Sequence, residues 1–170
     1  MASREIYRGK VIDVRIEAVT LPNGRDCELE IVAHPGGAAC VAVNEQNQLC
    51  LIRQFRHVAG GFIWELPGGK IEDNEPPLET ARRELQEEAG VVAGRWRELG
   101  SMLSSPGVFD EVIHLYMATQ LQWVGSAHEQ HELIEVHWLP VDEVLTLLIR
   151  NEIRDAKTIA GIVLARLAPL

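Results

Sequence analysis

Three glutamates in the segment Ala81–Gly90, ARRELQEEAG, carry the first chemical signal. Glu84, Glu87 and Glu88 stand at relative positions 0, 3 and 4, so on a helix their side chains leave from one side. Like charges held this close repel. One reading is a solvated face softened by Arg82, Arg83 and Lys70. The other is a site for a hard divalent cation, Mg²⁺ or Mn²⁺, which takes oxygen ligands and lets phosphate oxygens complete its shell. The preceding Leu66–Lys70, LPGGK, favours the cation, because a glycine-rich loop brings backbone carbonyls close to an ion or ligand. Neither GxxxxGK[ST] nor a helix-opening GxGxxG is present, so contact with phosphate is expected through metal and side chains.

The stretch Gly69–Val91, GKIEDNEPPLETARRELQEEAGV, resembles the Nudix box, Gx5Ex7REUxEExGU with U an aliphatic residue. Gly69 and Glu75 satisfy the first half, and Arg83, Glu84, Leu85, Glu87, Glu88, Gly90 and Val91 the second. The resemblance extends from about Gly36 to Trp138 and implies metal-dependent hydrolysis of a nucleoside diphosphate linked to another group. It implies Glu84 and Glu88 as main metal ligands, Glu87 as an additional or water-mediated ligand, and the Gly68 carbonyl as a further contact. Arg83 is either a surface counter-charge or, as the family pattern suggests, the partner of a carboxylate that holds the helix against the preceding loop. A guanidinium fork suits that task. Glu75 is the implied partner and Glu72 the second choice.

The loop His128–Glu132, HEQHE, offers two carboxylates and two imidazoles just before the strand candidate Leu133–Trp138. Loop charges are ordinarily only solvated, but a carboxylate beside a metal site can orient or deprotonate water. Resemblance to ADP-ribose pyrophosphatases points to Glu132 as the catalytic base, with Glu129 the alternative. Ser105-Pro106-Gly107 followed by Glu111 resembles the ADP-ribose and sugar-nucleotide branch, and Glu111 is the acidic residue closing that pattern. Upstream, Leu51–Arg56 resembles the strand that carries an arginine toward the diphosphate. Arg56 is the first choice and Arg53 the second, although either could instead cap a strand edge or pair with Glu65. Trp64 and Phe109 either stack on a base or fill core, and core is favoured for Trp64. ADP-ribose is the implied substrate, yielding AMP and ribose 5-phosphate, with ADP-glucose, GDP-mannose and other nucleotide sugars as alternatives. A nucleotide-binding module that does not hydrolyse its ligand is the alternative of another class, disfavoured because such a module has less reason to concentrate repelling carboxylates.

The elements that must position these residues are legible from periodicity. Lys10–Val19 and Cys27–Ala33 alternate around a turn at Pro22–Gly24, as a hairpin does. Gly36–Val43, Leu49–Gln54 and Phe62–Leu66 are further strand candidates. From Pro77, apolar Leu78, Ala81, Leu85 and Ala89 recur at helical spacing up to a C-capping Gly90. Strands follow at Trp96–Met102, Val112–Leu121 and Glu132–Trp138, then a helical segment Val141–Leu167 broken near Asn151–Ala156. This order predicts an α/β fold with helices packed on a mixed sheet, and the resemblance specifies the Nudix α/β/α sandwich.

With 170 residues, 46% of them hydrophobic, the chain is expected to form one domain over residues 1–170. The resemblance implicates an N-terminal strand region, about residues 1–35, in a homodimer. A net charge of -9, from 25 acidic against 16 basic residues, repels a nucleic-acid backbone. Cys27, Cys40 and Cys50 are dispersed and read as free thiols. No secretory signal or membrane-length apolar run is visible, and the reading is of a cytoplasmic protein without a membrane partner.

Overall fold

Small side chains set the centre of the molecule. In the computed structural model, which describes residues 3–125 and 133–168, strand order follows the chain from β1 (Ser3–Arg8), β2 (Asp13–Thr20) and β3 (Asp26–Ala33) to β4 (Gly37–Ala42). All six residues of β4, GAACVA, are buried. Ala38, Cys40 and Ala42 pack with Ala81, Leu85 and Ala89, whereas Ala39 and Val41 pack with Val144, Ile153 and Ile162. Alternation along one strand therefore serves two cores, and helices cover both faces.

The remaining elements are β5 (Gln48–Arg56), β6 (Gly61–Glu65), β7 (Gly68–Lys70), α1 (Pro77–Ala89), β8 (Val91–Leu103), β9 (Val112–Trp123), β10 (Ile134–Pro140), α2 (Val141–Ile149) and α3 (Ala156–Leu167). Strands β7-β4-β9-β8 form a mixed sheet in which β4 runs parallel to β9, and β10-β5-β6 form an antiparallel sheet. Helix α1 lies on one side, α2 and α3 on the other. The α/β sandwich expected from the sequence is present. Its strands are divided among separate sheets, with β1-β2-β3 forming a third.

Two elements differ from the sequence reading. Leu66–Lys70 contributes a three-residue strand where a loop was expected, because Gly68 and Gly69 pair with Ala39 and Ala38. Strand β1 is added to the expected hairpin, pairing antiparallel with β2. Helix α1 has the expected limits: Pro77 opens it, and Gly90 closes it at φ 70° with its N–H donating to the Gln86 carbonyl at 3.0 Å.

Cys40 and Cys50 are buried and free, and Cys27 is free and half-buried. Burial pushes the Cys50 thiol up to about 12 and that of Cys40 well above its ordinary value. Among the described residues, no helix is long and apolar enough to cross a membrane.

Candidate active site

Helix α1 buries Ala81, Leu85 and Ala89, which places Glu88 beside the apolar stripe. Glu88 is only 2% exposed and accepts a hydrogen bond from the Gly68 N–H at 2.8 Å. That contact needs a strand close to the helix. A Cβ on Gly68 would stand 2.5 Å from the Ala39 Cβ, and one on Gly69 would stand 2.0 Å from Glu84 Oε1. Gly68 therefore lets β7 lie close on β4, and Gly69 lets it lie against the acidic turn of α1.

Arg83 organises the outer part of that turn. Its Nε and one Nη donate to the two oxygens of Glu75, each at 3.0 Å, giving the bidentate contact expected for this pair. The other Nη donates to Glu84 at 2.8 Å and to Glu87 at 3.2 Å, while the Nη bound to Glu75 also donates a longer bond to the Lys70 carbonyl at 3.3 Å. Glu75 also accepts from the Thr80 hydroxyl at 2.7 Å and the Glu72 N–H at 3.2 Å. The Arg83 hydrogen bond, outweighing desolvation and aided by Thr80 and Glu72, holds the Glu75 carboxyl down at about 2. Arg83 is correspondingly raised above its ordinary value, chiefly by the Glu75 bond.

Glu84, Glu87, Glu88, Gly68 and Gly69 line one cavity of about 530 Å³. Among the described residues no three carboxylates are already gathered as a metal cage. Glu84 and Glu87 instead share Arg83. The donor chemistry nevertheless fits a hard divalent cation, which keeps waters and takes substrate phosphate oxygens alongside a few carboxylates.

Cations form a second wall of the cavity. Arg56, at the end of β5, donates from Nε to Glu65 Oε1 at 2.7 Å and from Nη to Oε2 at 3.1 Å. Lys157, in the first turn of α3, also donates to Glu65 Oε2 and stands 3.0 Å from Asp155. Arg56, Lys157 and Asp155 line the cavity. Sequence reasoning missed Lys157 and Asp155. The available signal was a lysine in a helix's first turn, where the macrodipole disfavours a cation and another reason is needed.

Glu111 lines the same cavity, its Oε1 3.1 Å from His34 Nδ1, a nitrogen that also accepts the Gly36 N–H at 3.1 Å. Gln54 also lines the cavity, and its buried Oε1 has no hydrogen-bond partner among the described residues.

Three other residues named from sequence are not brought to the cavity. Arg53 lies opposite Trp64 in the β5–β6 register, its guanidinium carbon 5.4 Å from that ring. Strand alternation sends Gln54 and Arg56 to the cavity and Arg53 to the other face. Trp64 forms a T-shaped pair with His137, ring centroids 4.9 Å apart, and adjoins the core of α2 and α3. Phe109 lies 6.3 Å from the His34 ring, outside the lining. Glu129 and Glu132 fall in 126–132, outside the described residues.

Comparison with known proteins matches the NUDIX domain model to residues 33–162. The ADP-ribose pyrophosphatase of Bacillus subtilis (strain 168) is 38% identical over 160 residues, spanning 93% of this chain and 86% of the relative. The methanol dehydrogenase activator of Bacillus methanolicus is 36% identical over 162 residues, 94% and 88% of the two chains. A crystal structure of an ADP compounds hydrolase superposes with a TM-score of 0.83 at 21% identity, covering 98% of this chain and 90% of that one. The matched domain coincides with the glycine-supported acidic helix and both cavity walls, and the chain belongs to the Nudix family.

Proposed function

We propose that this Nudix pyrophosphatase hydrolyses ADP-ribose between its two phosphorus atoms, releasing AMP and ribose 5-phosphate. The supporting observation is a cavity lined both by hard oxygen donors on α1 and by the cations Arg56 and Lys157, a charge pattern suited to binding a diphosphate together with a divalent ion. Glu84, Glu88 and the Gly68 carbonyl are the proposed metal contacts, with Glu87 as an additional or water-mediated ligand. Mg²⁺ is the proposed ion and Mn²⁺ an alternative. When bound, such an ion offsets charge on the phosphates and lowers the pKa of coordinated water.

In this reading Arg56 binds the diphosphate and Glu111 orients it through water or a cationic partner. Arg83 keeps the acidic turn against Glu75. Glu132 is the assigned base, with Glu129 the alternative. The proposed unit is one domain over residues 1–170 acting as a homodimer. Its N-terminal sheet presents exposed Ile6, Tyr7 and Leu29, apolar surface that a second copy would cover. A cytoplasmic location is proposed from the free cysteines.

The test incubates the purified chain with Mg²⁺ or Mn²⁺ and ADP-ribose, ADP-glucose, GDP-mannose and a dinucleoside polyphosphate. Phosphorus NMR should show AMP and ribose 5-phosphate, with ADP-ribose turned over at the highest kcat/KM. Preference for another member overturns the substrate assignment, and metal-dependent binding without turnover overturns hydrolysis. Light scattering of the same sample reads the dimer.

A further inference from the structure

Glu65 is 1% exposed, yet it contacts two cavity cations from separate elements. Its Oε1 takes Arg56 Nε, and its Oε2 takes both an Arg56 Nη and Lys157 Nζ. The backbone around it is fixed as well. Leu66 N–H donates to the Thr158 hydroxyl at 2.8 Å, which donates to Asp155 at 2.6 Å, while Asp155 caps α3 through the Thr158 N–H at 3.0 Å. The chain after Glu65 and the first turn of α3 are thus tied together by a buried Thr158.

Burial alone would raise the Glu65 carboxyl, but the Arg56 hydrogen bonds and the charges of Lys157 and Arg56 leave it below its ordinary value. An ionised carboxylate at this depth is costly unless its oxygens are engaged, and here both are. Arg56 and Lys157 are long side chains that would otherwise sample many rotamers. One buried anion restricts both and sets their heads on a shared point beside the cavity.

We propose that Glu65 is a positioning residue that aligns Arg56 and Lys157 as a paired receptor for the diphosphate of the substrate, without itself touching that substrate. The proposal rests on the diphosphate-hydrolase reading but makes a separate demand. A carboxylate that only neutralised charge would oppose phosphate binding, so its removal would tighten binding. A carboxylate that preorganises two cations lowers the ordering cost of binding, so its removal weakens it. The sign decides.

Calorimetric titration of the full chain with inorganic pyrophosphate, without divalent ions, reads this wall directly. Glu65→Gln and Glu65→Asp are both expected to weaken pyrophosphate at least about fivefold. The aspartate retains charge but loses reach, so it separates position from charge. In an Arg56→Met/Lys157→Met background, adding Glu65→Gln should change affinity less than about twofold. Tighter binding by Glu65→Gln with unchanged Glu65→Asp would overturn the proposal, as would absent pyrophosphate binding by the parent chain. Circular dichroism verifies folding, and Glu65→Asp carries the decision if Glu65→Gln does not fold. Pyrophosphate binding that Glu65→Asp weakens, in a chain that turns over no nucleotide, would sink the hydrolase reading and leave the role of Glu65 standing.

Discussion

Gly69 and Glu84 stand so close that a Cβ on the glycine would lie 2.0 Å from Glu84 Oε1. The adjacent Gly68 is constrained differently: its Cβ would meet the Ala39 Cβ at 2.5 Å and the Ala38 carbonyl oxygen at 2.6 Å. A carboxylate head can swing aside, whereas strand backbone cannot. Gly69→Ala is therefore expected to fold with a nearly unchanged Tm while kcat/KM falls about tenfold or more, because Glu84 is displaced. Gly68→Ala is expected to lose about 1–3 kcal/mol of stability through overpacking. Thermal melts and kinetics on the two variants read the contrast, and equal stability losses would contradict it.

Glu88 separates charge from hydrogen bonding. In Glu88→Gln the amide oxygen can still accept the Gly68 N–H, so β7 stays in register with α1. What disappears is a negative oxygen donor. Even supporting groups around a metal are worth about 10–100-fold in affinity or activity, so losing Glu88, a proposed direct ligand, should cost at least that. Kinetics over a Mg²⁺ titration should show the loss with an intact melting transition. Activity within threefold of the parent would remove Glu88 from the ligand set.

How far the sequence revealed this arrangement depended on whether local spacing determined it. Helix α1 was legible because Pro77, the apolar stripe and Gly90 specify its limits, and Glu75 and Arg83 meet as that segment suggests. The faces of β5 were obscured because Leu49–Ile52 is buried on both sides, so no polar alternation distinguishes Arg53 from Arg56. Strand β7 was hidden by its length and glycine content. Lys157 was out of view because its relation to Glu65 is set by packing 92 residues along the chain.

Acid should expose the Arg83–Glu75 link. The Glu75 carboxyl lies at about 2 in the folded protein against an ordinary 4.5. A depressed carboxylate stabilises the fold above its unfolded value, and that contribution drains as pH falls from about 4.5 toward 2. The Tm of the parent should therefore fall more steeply through this window than that of Glu75→Gln, and the gap between them should narrow toward pH 2. Parallel Tm curves would show that Glu75 contributes no such linkage.

Chain distance to the start of β10 separates Glu132 from Glu129. The Phe55 N–H donates to the Leu133 carbonyl at 3.2 Å, and Ile134 pairs with cavity-lining Gln54. Position 132 is therefore one residue from an anchored point beside the cavity. Position 129 is four residues from Leu133, with up to roughly 14 Å of chain between them. Glu132→Gln is accordingly expected to lower kcat about 10²–10⁴-fold with little change in KM, and Glu129→Gln less than about fivefold. A pH–rate profile adds a readout that loop disruption alone would not give: the acidic limb should vanish in Glu132→Gln and persist in Glu129→Gln. The reverse pattern would move the base to Glu129.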